Sequence, residues 1–262
     1  MKNYPRIYSL STLGLIHHYE NDYLFHNMRT DFVGDSGSGK SIIADLLQLI
    51  FVGSEMFESA TRTMDEKREL DGLVLRTPHK GIDIGYAFLN IEIQSRHYIV
   101  IGCYLESNSK RTKPFIIQGS SDPKANLLPI GQPLQTKDFK REGNICPLDD
   151  LLSQMEEKGL FLSYWETVKP YHRILYIHDI LPLDLASNEK TLKDYASVIR
   201  SFSRGKTIDT SNSNNLKQFI FGTEKIKENR KKYEDALKDF TDTIFNYNQN
   251  LNTIKILTDK EK

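Results

Sequence analysis

Residues 34–41 read Gly-Asp-Ser-Gly-Ser-Gly-Lys-Ser and complete the pattern G-x-x-x-x-G-K-[ST]. The glycines let the backbone curl until successive N–H groups point into one concavity, which suits an anion. Lys40 adds a positive charge where the outer phosphates of ATP would lie, and the Ser41 hydroxyl is placed to hold Mg²⁺. The predicted nucleotide-binding residues are therefore Gly34, Asp35, Ser36, Gly37, Ser38, Gly39, Lys40 and Ser41.

The residues on both sides of this loop fit the setting that the motif requires. Residues 30–33, Thr-Asp-Phe-Val, are predicted to form a short strand directly before the loop. After the loop, apolar residues recur at helical spacing up to a stop at Gly53: Ile42, Ile43, Leu46, Leu47 and Ile50. Such a helix would direct the positive end of its dipole at bound phosphates. The alternative is a Gly/Ser-rich loop with a coincidental lysine.

Bulk composition limits the classes of protein that this chain can belong to. Its 262 residues, 39% of them hydrophobic, can form one large domain or two. The charges of the 35 basic and 35 acidic residues cancel, so any site that binds nucleic acid must be a local basic patch. Cys103 and Cys146 lack paired spacing, which favours a reduced compartment. Because there is no membrane-spanning run and no signal segment, we expect a cytoplasmic protein without a membrane partner.

The middle of the chain predicts a β-rich lobe over residues 82–119. Three runs rich in β-branched and aromatic residues, 82–93, 98–105 and 115–117, are separated by polar turns and indicate an antiparallel meander. Residues 120–146 favour irregular structure. A helical part is then expected over 148–221, with helices near 148–159 and 191–202.

The last fifty residues predict a coiled coil. Their apolar positions follow the 4-3 alternation of a heptad seam: Tyr233, Leu237, Phe240, Ile244, Tyr247, Leu251 and Ile254. Aromatic seam residues favour an antiparallel pairing over a regular parallel dimer, and the sequence does not contain the partner helix. A long amphipathic helix packed on its own domain is the alternative interpretation.

A phosphate loop within the first forty residues, a β-rich insertion, and helices running into a coiled coil resemble the N-terminal half of an SMC-type ABC ATPase head. That family includes structural maintenance of chromosomes proteins, RecN and MukB. The resemblance implies an α/β fold of the P-loop NTPase class, with a head segment over residues 1–222 and the start of a coiled-coil arm over 223–262. In this family the chain turns at a hinge and returns to supply the signature motif and Walker B.

The resemblance also assigns roles to residues of this chain. Residues 34–41 match Walker A, although Asp35 stands where these heads usually carry proline. The basic segment after the predicted helix occupies the place of a DNA-contacting arginine, with Arg62 as the nearest match and Lys67 and Arg68 as its neighbours; a solvated charged loop is the alternative. Gln118 ends a run that looks like a strand leading into a Q-loop, where it would sense Mg²⁺ and the attacking water. The plain end of a β-hairpin is the alternative for Gln118.

Two expected motifs are missing from the sequence. There is no Leu-Ser-Gly-Gly-Gln signature, and the only resemblance to Walker B is residues 174–179, where no glutamate follows Asp179. The resemblance therefore implies ATP binding here, with ATP hydrolysis only after a returning C-terminal half-head or a second head subunit completes the site. The resemblance implies a dimer in which ATP drives the engagement of two heads on DNA. The implied partners are that half-head or subunit, DNA and accessory subunits. The implied role is chromosome maintenance, repair or bacterial defence against foreign DNA.

Two other functions fit the same residues. One is a self-contained P-loop kinase or nucleotide-dependent regulator in which Asp179 acts as Walker B and lies beside Ser41 on an adjacent strand. The other is a coiled-coil interaction module that binds nucleotide as a structural ligand. Histidines such as His17, His18 and His172 show no ligand spacing with cysteines or carboxylates, so no protein metal site is predicted.

Overall fold

The computed structural model describes residues 4–26, 29–59, 62–63, 66–67, 70–76, 83–119, 126–204, 233–245, 247 and 249. The chain divides into two compact units, Met1–Lys206 and Thr207–Lys262. The first unit contains the strands and helices that position residues 34–41, which we call the phosphate loop after the motif in the sequence.

The described part of the first unit contains ten strands and four α-helices. The strands are β1 (Arg6–Leu15), β2 (His18–Leu24), β3 (Arg62–Thr63), β4 (Glu66–Lys67), β5 (Ile84–Gln94), β6 (His97–Glu106), β7 (Lys113–Gln118), β8 (Lys140–Arg141), β9 (Asn144–Ile145) and β10 (Phe161–Tyr164). The helices are α1 (Lys40–Val52), α2 (Leu148–Glu157), α3 (Val168–Ile177) and α4 (Glu189–Arg204). Six strands form one sheet in the order β10-β7-β6-β5-β1-β2.

Every neighbouring pair of strands in this sheet is antiparallel. The predicted meander is confirmed as β5, β6 and β7. Strands β5 and β6 are buried along almost their whole length, because they lie in the middle of the sheet with packed layers on both faces. Strand β10 was not predicted, since it has only four residues and lies inside the part expected to be helical.

The two faces of the sheet carry different cores. One face, which we call the α1 face, packs aliphatic residues of the sheet against α1, α3 and α4, including Leu10, Ile101, Leu46, Leu175 and Ala196. The opposite face, which we call the aromatic face, is built around Tyr86, Phe88, Phe115 and Phe139 and is covered by α2. The phosphate loop is attached to the α1 face through α1.

Helix α3 supports the end of α1 that lies farthest from the loop. The Tyr171 hydroxyl donates a hydrogen bond to the Ile50 carbonyl at 3.0 Å, and His172 Nε2 lies 3.0 Å from the Phe51 carbonyl oxygen. Because a carbonyl only accepts, Nε2 must carry the proton. His172 Nδ1 is buried with no hydrogen-bond partner in the described part of the chain. Burial lowers the pKa of His172 to about 4, so the imidazole is neutral at neutral pH.

Polar side chains of α1 also hold the segment that follows it. Ser59 Oγ donates to Asp45 Oδ2 at 2.9 Å, and Gln48 Nε2 donates to the Met56 carbonyl at 3.1 Å. Both Asp45 and Gln48 are buried. The segment leading to β3 and β4 is therefore fixed to the helix that follows the phosphate loop.

The two helices predicted downstream are confirmed as α2 and α4. The Asn188 side chain accepts from the backbone N–H groups of Lys190 and Thr191, at 2.6 and 3.0 Å, and caps α4. The prediction of a strand over residues 30–33 is wrong, because these residues belong to no helix or strand. In the part of the chain that the structure describes, the sheet ends at β2 and no neighbouring strand supplies residues 30–33 with the hydrogen bonds that a strand needs; Val33 is 92% exposed.

The described part of the second unit is helical over residues 233–245, with 247 and 249 also helical. Its apolar side chains are between 45% and 69% exposed: Tyr233, Leu237, Phe240, Ile244, Phe245 and Tyr247. Leu251 and Ile254 lie outside the described residues. The coiled coil stays a prediction. In the portion of the chain that the structure covers, no helix combines the length and apolar character needed to cross a membrane.

Candidate nucleotide-binding site

The phosphate loop lies directly before α1, as the sequence predicts. Gly39 is the N-cap residue of α1, and the helix begins at Lys40. Gly37 and Gly39 have φ angles of 86° and 90°, in the left-handed region that favours glycine. The backbone shape of the loop thus explains why the motif has glycine at these two positions.

The N-terminus of α1 is left open to an anion. No side chain caps this helix, and its first turn contains no acidic residue. The first N–H groups of a helix have no partner within the helix, and the dipole places partial positive charge there. The end of α1 can therefore accept a phosphate group without displacing a carboxylate of the chain.

Lys40 bends back over the loop that precedes it. Its Nζ donates hydrogen bonds to the backbone carbonyls of Gly34 and Asp35, at 2.6 and 2.7 Å, and lies 3.3 Å from Ser38 Oγ. All three acceptors are uncharged. A phosphate oxygen would make a stronger, charge-assisted hydrogen bond with the same ammonium group. Asp35 is exposed, so water screens its carboxylate from a ligand in the loop.

The hairpin of β1 and β2 packs against the loop. His18, the first residue of β2, is only 6% exposed, and its Nε2 lies 2.9 Å from the Gly39 carbonyl oxygen. Its Nδ1 lies 2.7 Å from the Tyr23 hydroxyl. The Tyr23 ring also makes an edge contact with Phe32, just before the loop, with ring centroids 5.7 Å apart. The hairpin thus contacts the chain before the loop and at its last glycine.

His18 and Tyr23 were not predicted to belong to the site. The sequence analysis considered histidines only as metal ligands, which are recognised by their spacing. The contact of His18 with Gly39 depends instead on tertiary packing, which spacing does not reveal. The alternation of β2 gives no signal for this pair, because His18 and Tyr23 are five positions apart and alternation alone would place them on opposite faces of the sheet. In the described residues, no group of three or more His, Cys, Asp or Glu side chains could hold a metal ion. A Mg²⁺ ion would therefore depend on Ser41 and the nucleotide phosphates.

The structure does not bring Gln118 to the loop. Gln118 ends β7, which lies four strands from β2 in the sheet order, or about 19 Å at the usual strand spacing. It also lies at the opposite end of the strands from His18. The side chain is fully buried, and its Oε1 accepts from the Leu128 N–H at 3.2 Å. This placement favours the interpretation of Gln118 as the end of a β-hairpin.

Asp179 does not follow a strand. Residues 174–177 are the last turn of α3, and Asp179 lies in the turn after that helix, with a φ angle of 57°. A Walker B aspartate is carried by a strand next to the one that leads to the phosphate loop. The strand that the self-contained kinase hypothesis needs at this position is therefore not formed.

Two of the three predicted DNA-binding residues lie in a small hairpin. Strands β3 and β4 pair so that Arg62 is opposite Lys67 and Thr63 is opposite Glu66. Arg68 lies outside the described residues. The structure thus brings Arg62 and Lys67 to directly opposed positions of one hairpin.

Comparison with known proteins identifies the family. A family model described as MukB N-terminal matches residues 6–225, which include the phosphate loop, the six-stranded sheet and α1 to α4. A search of curated proteins found no match. The match agrees with the order of elements, in which the loop precedes an antiparallel lobe and then helices. The chain therefore belongs to the MukB N-terminal family and is an N-terminal SMC-type head segment.

Proposed function

We propose that this chain is the ATP-binding segment of an SMC-type head that acts on DNA. The observation that supports this most is the loop over residues 34–41, with its two left-handed glycines, at the open N-terminus of α1. N–H groups of the loop and of the first turn of α1 would hold the β- and γ-phosphates. Lys40 would release its carbonyl partners and pair with the outer phosphates, while Ser41 would hold Mg²⁺.

We further propose that another polypeptide segment completes the head. Residues 30–33 lie just before the loop and pair with no strand among the described residues, and Val33 is 92% exposed. A strand from a C-terminal half-head or a second subunit would pair here and bring the signature motif and the catalytic base. Hydrolysis of ATP would then depend on that partner, and binding would not. The exposed seam from Tyr233 to Tyr247 would begin the coiled-coil arm.

The hairpin of β3 and β4 is proposed to contact DNA. The pairing of β3 and β4 places Arg62 and Lys67 at directly opposed positions, so two basic residues belong to one short hairpin. Basic residues grouped in this way suit contact with DNA phosphates. The balanced charge of the whole chain, 35 basic and 35 acidic residues, means that such a patch would act locally. Chromosome maintenance, repair and defence against foreign DNA are all compatible with this activity.

Calorimetric titration with Mg-ATP tests the nucleotide site. Lys40→Ala removes the charge-assisted partner of the outer phosphates and should weaken binding at least about tenfold. Lys169→Ala removes another exposed lysine, on α3, and should leave the affinity unchanged. Equal affinities of the native protein and Lys40→Ala would remove the loop from the proposed site.

Fluorescence anisotropy with duplex DNA over a series of salt concentrations tests the hairpin. Arg62→Ala and Lys67→Ala should each lower the affinity and reduce the slope of log K against log salt by about one. Lys169→Ala serves again as the control. An unchanged slope in both hairpin variants would exclude Arg62 and Lys67 from the DNA contact.

A further inference from the structure

We propose that His18 is a positioning residue of the nucleotide site and that it acts by holding the Gly39 carbonyl. This inference rests on the proposed binding of ATP at residues 34–41. His18 comes from the β1–β2 hairpin, 21 residues before Gly39 in the chain, and its Nε2 lies 2.9 Å from the Gly39 oxygen. It touches the loop backbone and would not touch the nucleotide.

The geometry of one peptide group explains how His18 acts. In a trans peptide the C=O of Gly39 and the N–H of Lys40 lie in one plane and point in opposite directions. The Gly39 carbonyl points into α1, where it also accepts from the Ile42 N–H at 2.8 Å and from the Ile43 N–H at 3.4 Å. A third donor, His18 Nε2–H, approaches from outside the helix and limits rotation of this peptide group further. The Lys40 N–H therefore stays directed out of the helix terminus, towards the position of a phosphate.

Close packing at Gly39 is a second, independent observation. A Cβ atom added at Gly39 would lie 2.5 Å from His18 Nε2 and 2.9 Å from His17 Cβ. At Gly37, which has nearly the same φ angle, an added Cβ would meet nothing within 4 Å. The hairpin thus makes its close approach to the loop at Gly39, the N-cap residue of α1.

Tyr23 fixes the tautomer that this contact needs. A neutral imidazole has one N–H and one unprotonated nitrogen, and the Gly39 carbonyl can only accept. The Tyr23 hydroxyl, 2.7 Å from Nδ1, donates to the unprotonated nitrogen and leaves the proton on Nε2. Burial raises the pKa of Tyr23, so the hydroxyl keeps its proton at neutral pH. Tyr23, His18 and Gly39 therefore form one directed chain of hydrogen bonds.

Titration of four proteins with Mg-ATP tests this inference. His18→Ala should weaken binding about tenfold, the usual effect of losing one hydrogen bond. His18→Gln should bind within about threefold of the native protein, because the Gln amide can donate to Gly39 from nearly the same position. Tyr23→Phe keeps the ring contacts and loses the hydroxyl, and should weaken binding about threefold.

The double variant Tyr23→Phe/His18→Gln distinguishes positioning from a general loss of stability. A glutamine amide needs no partner to fix its tautomer, so Tyr23→Phe should cost nothing further in the His18→Gln background. This comparison decides the question even if His18→Ala does not fold. Equal affinities of native protein, Tyr23→Phe and His18→Ala would overturn the inference, as would a Tyr23→Phe effect that is the same in both backgrounds.

Two readouts without nucleotide separate this inference from the proposed function. Nitrogen-15 NMR of the native protein should show His18 protonated at Nε2 and not at Nδ1. Hydrogen exchange of the Ile42 amide, which donates to the Gly39 carbonyl, should be faster in His18→Ala and unchanged in His18→Gln. If the native protein fails to bind ATP, the proposed function is wrong, and the hydrogen exchange still decides the role of His18. The opposite tautomer, or unaltered exchange in His18→Ala, would contradict that role.

Discussion

The aromatic face of the sheet and the phosphate loop, though parts of one compact unit, are built in opposite ways. On the aromatic face, Phe139 is fully buried and stacks on Phe88 with ring centroids 4.2 Å apart. In the loop, residues 34–38 and Lys40 are exposed, and the contacts are hydrogen bonds to backbone carbonyls. Buried aromatic area stabilises the fold, whereas an exposed loop keeps its N–H groups free for a ligand.

This difference teaches that stability and ligand binding should respond to different substitutions. Large changes on the aromatic face should unfold the protein without altering the chemistry of the loop. Changes of exposed loop side chains, such as that of Lys40, should remove binding at little cost in stability. Substitution of residues that connect the loop and α1 to the rest of the unit, such as His18 and His172, should have intermediate effects on stability and on binding.

The largest effect is expected on the aromatic face. Phe139→Ala should reduce the free energy of unfolding by about 3–5 kcal/mol, because it removes a fully buried ring and leaves a cavity beside Phe88 and Tyr86. Chemical denaturation measures this change, and Phe139→Leu is the matched control with an expected loss of less than about 2 kcal/mol. A loss below about 1 kcal/mol in Phe139→Ala would contradict the assignment of this face as a major core.

The next largest effect is a pH dependence of the stability, which arises from His172 at the end of α1 farthest from the loop. Burial lowers its pKa to about 4 in the folded protein, below the value of about 6.5 in an unfolded chain. The unfolded chain therefore binds more protons between these values. The contribution of neutral, buried His172 to the free energy of unfolding is therefore complete above pH 6.5. It is lost as the pH falls towards 4, and the total loss is up to about 3 kcal/mol.

Comparison with His172→Gln isolates that contribution from other titrating groups. The glutamine amide can still donate to the Phe51 carbonyl but does not titrate. The difference in unfolding free energy between the two proteins should therefore change with pH between 6.5 and 4 and stay constant above 7. Parallel pH profiles of the two proteins would show that His172 does not carry the effect.

A smaller effect separates two glycines of the loop. Gly37→Ala should cost about 1 kcal/mol, because alanine is strained at a φ angle of 86° but meets no neighbouring atom. Gly39→Ala should cost about 2–3 kcal/mol, because its Cβ must also displace the His17–His18 turn. Thermal unfolding of both variants measures the difference. Equal costs would mean that the hairpin gives way freely and does not hold the loop.

Motifs and hydrophobic periodicity predicted the parts of the fold that a short stretch of sequence determines by itself. The phosphate loop, α1 and the meander of β5 to β7 each have their own motif or periodicity. The strand over residues 30–33 was predicted from its composition, but a strand also needs a neighbour, and the sheet described here ends at β2. The short strand β10 had too few residues for a clear pattern.

The candidate site was likewise predicted only where its residues are neighbours in the sequence. The motif alone predicted Lys40 and Ser41 as site residues, since their spacing from the glycines is local, and their role in binding stays a prediction. The separation of Gln118 from the loop follows from strand order and register, which periodicity does not reveal. The contact of His18 with Gly39 likewise depends on how the hairpin packs against the loop.

The most direct test of the account is thermal unfolding with and without saturating Mg-ATP. A ligand that binds only the folded state adds stability according to its concentration and affinity. We predict that the native protein and Phe139→Leu gain the same stabilisation from Mg-ATP, although Phe139→Leu starts from a lower melting temperature. Lys40→Ala should melt like the native protein without nucleotide and gain almost nothing with it. A gain in Lys40→Ala equal to that of the native protein would contradict the claim that residues 34–41 form the nucleotide site.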